Sequence, residues 1–234
     1  MAASDLKLLG GWPSPFAMRP LIALNLKNLD YEYLEQNFPV MSELLFKSNP
    51  VYRKIPVLIH NDRPICESLI IVQYIDEVFT SGNSLLPSDP FDRAVARFWA
   101  TYIDDKWYSA LSGLVKGKTD EEKVTAMGGL TTGLTLLEEA FVKISKGKRF
   151  FGGETIGYVD IALGSMLGWL RVAERLGGCS NLMDETKMPG LYGWAERFCS
   201  DAAVKDLMPE TEKLFEFAKM LISGQFSAHI NNLK

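Results

Sequence analysis

The sequence predicts an α+β N-terminal domain followed by an all-α C-terminal domain. Three observations carry the prediction. Over residues 1–80, short apolar runs of strand length alternate with segments of helical period. Residues Thr80 to Pro90 (TSGNSLLPSDP) are rich in Gly, Ser, Asn and Pro, the composition of a linker. From Phe91 onward the apolar spacing is helical almost throughout, and no strand signal competes. The expected organisation is a domain over 1–80, a linker over 81–90 and a helical domain over 91–234.

In the first domain, Leu6 to Gly10 is an apolar strand ending in Gly-Gly. Phe16 to Leu26 follows at helical spacing. Ser14-Pro15 is its start signal, because Ser accepts from the first free N–H groups and Pro fits the first helical position without losing a bond. Pro20 removes one backbone hydrogen bond further in and is expected to kink the helix or delay its regular part. Tyr31 to Gln36 alternates as a second strand, and Ser42 to Ser48 is a short helix closed by Asn49-Pro50.

Asn49 to Ser68, NPVYRKIPVLIHNDRPICES, then packs several special backbone signals together. Val57 to His60 is a strand, Asn61-Asp62 a turn and Arg63 to Cys66 the return strand of a hairpin. Pro56 precedes it, and an X-Pro bond adopts cis at a cost of only about 0.5–1 kcal/mol. A cis Pro56 would turn the Ile55 N–H and C=O outward, leaving an edge with which an extended peptide can pair. Glu67-Ser68 opens the helical segment Leu69 to Phe79, where free N–H groups and the positive dipole end face an anion. A carboxylate would suit that place. Ser68 capping its own helix and Pro56 shaping the hairpin account for the same residues. The element order, βαβ then αββα, is the thioredoxin-like arrangement.

Helical segments are expected near Phe91–Gly113, Asp120–Ser145, Tyr158–Leu176, Gly190–Cys199 and Pro209–Ile222. Gly157 and Asp160 open the third of these, with Ile156 and Ile161 at the spacing of a hydrophobic staple, a structural device. Phe226 to Lys234 is polar and is expected to fray.

Composition narrows the function classes. A net charge of −4 with interspersed signs argues against nucleic acid or a membrane surface as partner. No basic region followed by an apolar run opens MAASDLKLLGGWPSPF, and no apolar stretch approaches membrane-spanning length, which points to the cytoplasm. Three cysteines without CxxC spacing and two histidines make disulfide frameworks and metal sites unexpected, so no metal is assigned. Cys66, Cys179 and Cys199 are expected to be reduced and partly buried.

Six motifs in order give the sequence a family likeness. WPSPF (Trp12 to Phe16), SELLFKSNP (Ser42 to Pro50), KIPVLIH (Lys54 to His60), PICESLIIVQYIDE (Pro64 to Glu77), RFWATYIDDKW (Arg97 to Trp107) and GYVDIALGSMLGWL (Gly157 to Leu170) closely resemble plant tau-class glutathione transferases. The likeness covers nearly the whole chain and implies the glutathione transferase fold, with glutathione as co-substrate.

By that resemblance Ser14 is the catalytic residue, its hydroxyl donating to the glutathione sulfur. The residue-level reading already places Ser14 at a helix N-terminus, where a thiolate is favoured. A thiol of pKa about 8.5 is only about 3% thiolate at pH 7. Lowering it by about two units takes about 2.7 kcal/mol, which one charge-assisted hydrogen bond of about 1.5–3 kcal/mol supplies. The resemblance further implies that Ile55 pairs with the cysteinyl part of glutathione beside cis Pro56. It gives the γ-glutamyl amine to Glu67, the γ-glutamyl carboxylate to Ser68 and the glycine carboxylate to Lys54. The hydrophobic substrate would lie between Phe16 and the helical domain, against Tyr108, Ser112, Trp169 and Phe217. Family members are homodimers, and Glu77 and Arg93 are a candidate inter-subunit pair. One departure stands out. Many members carry a basic residue just before SELL, whereas this chain has Met41, so weaker glutathione affinity is expected, by about 1 kcal/mol for an exposed contact.

The leading expectation is therefore conjugation of the glutathione thiolate to electrophilic hydrophobic compounds in detoxification and stress response, with glutathione-dependent peroxidase activity as a second reaction. Two other classes use the same scaffold. A thiol exchanger needs Cys at the catalytic position, and a hydroxyl cannot form its mixed disulfide. Cys66 beside Glu67 is placed to have a raised pKa. A non-enzymatic carrier of flavonoids, porphyrins or hormones fits Met41 and the apolar residues, but not the intact Ser14, Lys54, Glu67 and Ser68 set.

Overall fold

A computed structural model describes residues 5–37 and 40–224 of the 234-residue chain. The segment Phe226 to Lys234, expected to fray, lies outside them. Strand β1 (Leu6–Gly10) leads through Ser14 into helix α1 (Pro15–Leu26), followed by β2 (Glu32–Glu35), α2 (Glu43–Ser48), the hairpin β3 (Val57–His60) and β4 (Arg63–Cys66), and α3 (Ser68–Val78). The sheet order is β2-β1-β3-β4, with β1 parallel to β2 and antiparallel to β3. β3 and β4 pair antiparallel, His60 opposite Arg63 across the Asn61-Asp62 turn.

Successive strand residues point to opposite faces, and Leu8 and Leu9 are both fully buried, as are Val57 and Leu58. Both faces of the central strands are therefore covered. α1 and α3 pack on each other, burying Ile22, Leu24, Ile71, Val72 and Ile75. On another face Leu45 of α2 joins Leu9, Val57 and Ile59, with Leu34, Met41, Ile55 and Cys66 packed around them. α1 begins at Pro15 with no delay, so Pro20 lies inside it. Its missing N–H removes only one rung of the helical ladder.

The second half is helical: α4 (Pro90–Tyr102), a π turn over Ile103–Trp107, α5 (Tyr108–Lys116), α6 (Asp120–Ser145), α7 (Tyr158–Gly164), α8 (Leu167–Leu176), α9 (Pro189–Ser200) and α10 (Thr211–Ile222). The expected helix Phe91–Gly113 is thus helical throughout but carries a wider turn in its middle. The expected helix Tyr158–Leu176 is divided. Ser165 Oγ donates to the Ala162 carbonyl at 3.2 Å, and Met166 N–H turns tightly to Leu163 at 3.0 Å, so the ladder breaks between Gly164 and Leu167. Gly164 faces Phe198 so closely that a Cβ there would fall 2.2 Å from the ring.

The described residues form two compact units, the first of residues 5–83 with 219–224 and the second of residues 84–218. Lys27 anchors the first: its Nζ lies 2.8 Å from Asp76 Oδ1 on α3 and donates to the Asn83 carbonyl at 2.9 Å. Asp160 anchors the second. Its carboxylate accepts from the backbone N–H groups of Phe151, Gly152 and Gly157, each at 2.8 Å, and from the Trp194 indole at 2.7 Å.

Candidate functional site

In the first unit the candidate residues stand at three backbone turns. Ser14 has extended backbone, φ −86° and ψ 114°, and caps α1, its Oγ accepting from Ala17 N–H at 3.2 Å. An oxygen that accepts there keeps its own hydrogen for donation. The residue is half-buried, at the positive end of α1.

The second turn runs from Asn49 to Pro56. The Ile55–Pro56 peptide is cis. Among the described residues no hydrogen bond falls on the Ile55 backbone, whereas the neighbouring Lys54 carbonyl accepts from Asn49 Nδ2 at 2.9 Å. Asn49 is 3% exposed and also takes Tyr52 N–H on its Oδ1 at 3.1 Å, so one buried amide shapes the loop that presents Lys54 and Ile55. The Lys54 side chain is exposed.

At the third turn Glu67 holds φ at 71°, a conformation rare for a residue with a side chain, and its own side chain does not cap α3. Glu67 is exposed while Ser68, the first residue of α3, is buried. Ser68 does not cap its helix either. Its Oγ accepts from Arg19 Nη1 at 3.2 Å, across from α1. Arg19 is wholly buried, with its guanidinium 5.0 Å from the centre of the Phe16 ring. The contact thus ties the start of α3 to the first turns of α1. Sequence reasoning missed Arg19 and the loop-shaping role of Asn49. The available signal was a charged residue inside the apolar run PFAMRPLIAL.

Cys66 ends β4, its thiol directed at the Ser48 carbonyl at 3.6 Å. Burial, and secondarily the charge of Glu67, pushes that thiol's pKa up. All three cysteines are free. Among the described residues no group of His, Cys, Asp and Glu is arranged to hold a metal ion, and no helix is long and apolar enough to cross a membrane.

Of the residues expected to meet the hydrophobic substrate, Phe16 belongs to the first unit and the others to the second. Tyr108 and Ser112 are one turn apart on α5, both half-buried. α5 packs against α8, which carries Trp169. Trp169 meets Phe217 of α10 edge to face, with ring centres 6.5 Å apart at 71°.

A four-stranded mixed sheet with a helix-capping serine at the start of α1, followed by a helical unit, is the two-domain arrangement of this chain. Residues 4–77 match the glutathione S-transferase N-terminal domain and residues 105–197 the glutathione S-transferase C-terminal domain, and the chain belongs to that family. Glutathione S-transferase U17 of Arabidopsis thaliana is 58% identical over 222 residues, spanning 94% of this chain and 97% of its own length. Glutathione S-transferase U18 of the same plant is 55% identical over an equal span, covering 94% and 97%. Among solved structures, a tau class glutathione S-transferase from mango, Mangifera indica, superposes with a TM-score of 0.89 at 60% identity, covering 93% of this chain and 98% of that one. A rice enzyme solved in complex with glutathione gives a TM-score of 0.85 at 38% identity, covering 95% and 98%. The tau class is the branch to which this chain belongs.

Proposed function

We propose that this chain binds glutathione along Lys54, Ile55, Pro56, Glu67 and Ser68, activates its thiol at Ser14 and adds the thiolate to electrophilic hydrophobic compounds. The observation that carries the reading is the Ser14 hydroxyl. It sits at the N-terminus of α1 and accepts from Ala17 N–H at 3.2 Å, which leaves its hydrogen for a sulfur. The unpaired Ile55 backbone supports pairing with the cysteinyl residue, and buried Ser68 at the start of α3 supports binding of the γ-glutamyl carboxylate. Exposed Glu67 suits the γ-glutamyl amine and exposed Lys54 the glycine carboxylate. Phe16, Tyr108, Ser112, Trp169 and Phe217 are assigned to the electrophile, whose flat apolar forms suit aromatic side chains.

Reduction of organic hydroperoxides is the second reaction of the same thiolate, and no metal takes part. Detoxification and stress response in the cytoplasm are the setting. The chain acts as a homodimer in which Glu77 and Arg93 are a candidate inter-subunit pair. Arg93 Nη1 already donates to the Pro87 and Ser88 carbonyls at 3.2 and 3.3 Å, which holds its guanidinium beside the linker. A thiol-exchange reaction is disfavoured by the hydroxyl at position 14 and by the raised pKa of Cys66.

The test is conjugation of glutathione to a chloronitrobenzene by the parent and by Ser14→Ala. Loss of one charge-assisted hydrogen bond to the thiolate is expected to lower kcat/KM by about 10²-fold. Unchanged activity in Ser14→Ala would remove Ser14 from its role, and glutathionylated Cys66 during turnover would favour thiol exchange.

A further inference from the structure

Tyr108 and Ser112 follow directly on the π turn between α4 and α5, where the Tyr108 N–H reaches back five residues to the Ile103 carbonyl. Such a turn takes up one residue more than an α turn and so rotates everything after it by about 100°. In a regular helix Tyr108 and Ser112 would stand about 80° and 120° round from Ala100. The wide turn brings both back to within about 20° of that buried line, and both are half-buried.

The turn fits what faces it on α6. A Cβ at Gly133 would fall 2.5 Å from Trp107 Cδ1 and 3.2 Å from Tyr102 Oη. Tyr102 and Trp107 are five positions apart, the repeat of a π turn, and a regular helix would set them about 140° apart. One bare position on α6 thus meets both because the turn is wide. Trp107 is 1% exposed, and its Nε1 has no hydrogen-bond partner among the described residues. Packing against Gly133 is therefore what seats the indole. The seam continues along α6: a Cβ at Gly129 would fall 3.3 Å from that of Ala110, and one at Gly113 3.2 Å from that of Ala126. Contacts this close leave α5 no room to roll on α6. With Trp107 seated there, Tyr108 and Ser112 stand about 100° and 140° further round α5, turned away from the Gly133 notch.

We infer that Trp107, seated against Gly133, is a positioning residue for the electrophile: it holds the π turn, and the turn aims Tyr108 and Ser112 at the substrate. The inference rests on the assignment of Tyr108 and Ser112 to the electrophile site. The test measures KM for a chloronitrobenzene and for glutathione in the parent, Gly133→Ala, Trp107→Leu, Tyr108→Ala/Ser112→Ala and the triple variant that adds Gly133→Ala to the last. Gly133→Ala drives a methyl group into the Trp107 ring and is expected to raise the chloronitrobenzene KM about fivefold, with the glutathione KM within about twofold of the parent. A loss of folded protein alone lowers the apparent kcat and moves neither KM. Trp107→Leu underfills the notch, gives the same split and carries the test where Gly133→Ala does not fold. In the Tyr108→Ala/Ser112→Ala background the added effect of Gly133→Ala falls below about twofold, because the side chains it aims are gone. A chloronitrobenzene KM unmoved by both Gly133→Ala and Trp107→Leu, or an undiminished effect in that background, overturns the inference and leaves the site assignment standing. An unmoved KM in Tyr108→Ala/Ser112→Ala instead removes those two residues from the electrophile site, and the inference falls with that assignment.

Discussion

Arg19 Nη1 lies 3.2 Å from Ser68 Oγ, joining two residues 49 positions apart at the start of α3 and the second turn of α1. A hydroxyl that accepts from a guanidinium has its hydrogen turned away, toward whatever anion meets the helix start. Arg19 is therefore expected to act on glutathione through Ser68, as a positioning residue. Arg19→Lys keeps the charge and loses the planar fork, and should raise KM for glutathione about fivefold with kcat within about twofold. A glutathione analogue lacking the γ-glutamyl carboxylate should show no such change. An equal rise for both thiols would leave Arg19 only a packing role.

Met41 is half-buried and packs on the cluster of Leu9, Leu45, Val57 and Ile59. It thus adds an apolar side chain to the core beneath α2. A lysine stem can cover the same apolar surface while its ammonium reaches solvent. Met41→Lys is expected to lower KM for glutathione about fivefold, equivalent to about 1 kcal/mol, with stability within about 1 kcal/mol of the parent. An unchanged KM would show that no carboxylate of glutathione comes within reach of position 41.

Features set by local sequence were legible. α6 runs from Asp120 to Ser145 as its periodicity requires, Ser14-Pro15 starts α1, and the hairpin turns at Asn61-Asp62. What escaped depends on packing between distant segments. Nothing local announces that Arg19 meets Ser68, or that position 164 must lack a side chain to admit the Phe198 ring. The left-handed backbone of Glu67 was equally hidden, because a non-glycine residue there is held by its surroundings and not by its own preference. The site was legible as residue types at turns. Its internal wiring, through Arg19 and Asn49, was not.

The Lys27–Asp76 pair is the deepest ionic contact described in the first unit, its side chains 1% and 6% exposed. Breaking such a pair costs more than forming it gains, because the remaining charge stays buried. Lys27→Met is expected to lower the unfolding free energy by about 3–5 kcal/mol, read from urea denaturation. Lys27→Met/Asp76→Leu should recover at least half of that loss. If the double variant is as unstable as the single one, the pair does more than neutralise its own burial.

Asp160 makes the stability of the second unit depend on pH. Burial pushes its carboxyl up to about 6, against the pull of the Gly157, Gly152 and Phe151 N–H groups and the Trp194 indole. The folded pKa lies above the ordinary value of 3.8, so between these two values the folded state holds the proton more often than the unfolded chain. Stability from this group is therefore greatest below about pH 4, falls as pH rises toward about 6 and is flat above, an overall change of about 3 kcal/mol. Asp160→Asn cannot titrate and leaves at least one of the four N–H groups facing an amide donor, so it should be less stable at every pH. Its deficit relative to the parent should shrink by about 3 kcal/mol between pH 4 and pH 7, measured from urea unfolding of both proteins. A deficit independent of pH would mean that Asp160 is ionised throughout, its four donors outweighing burial.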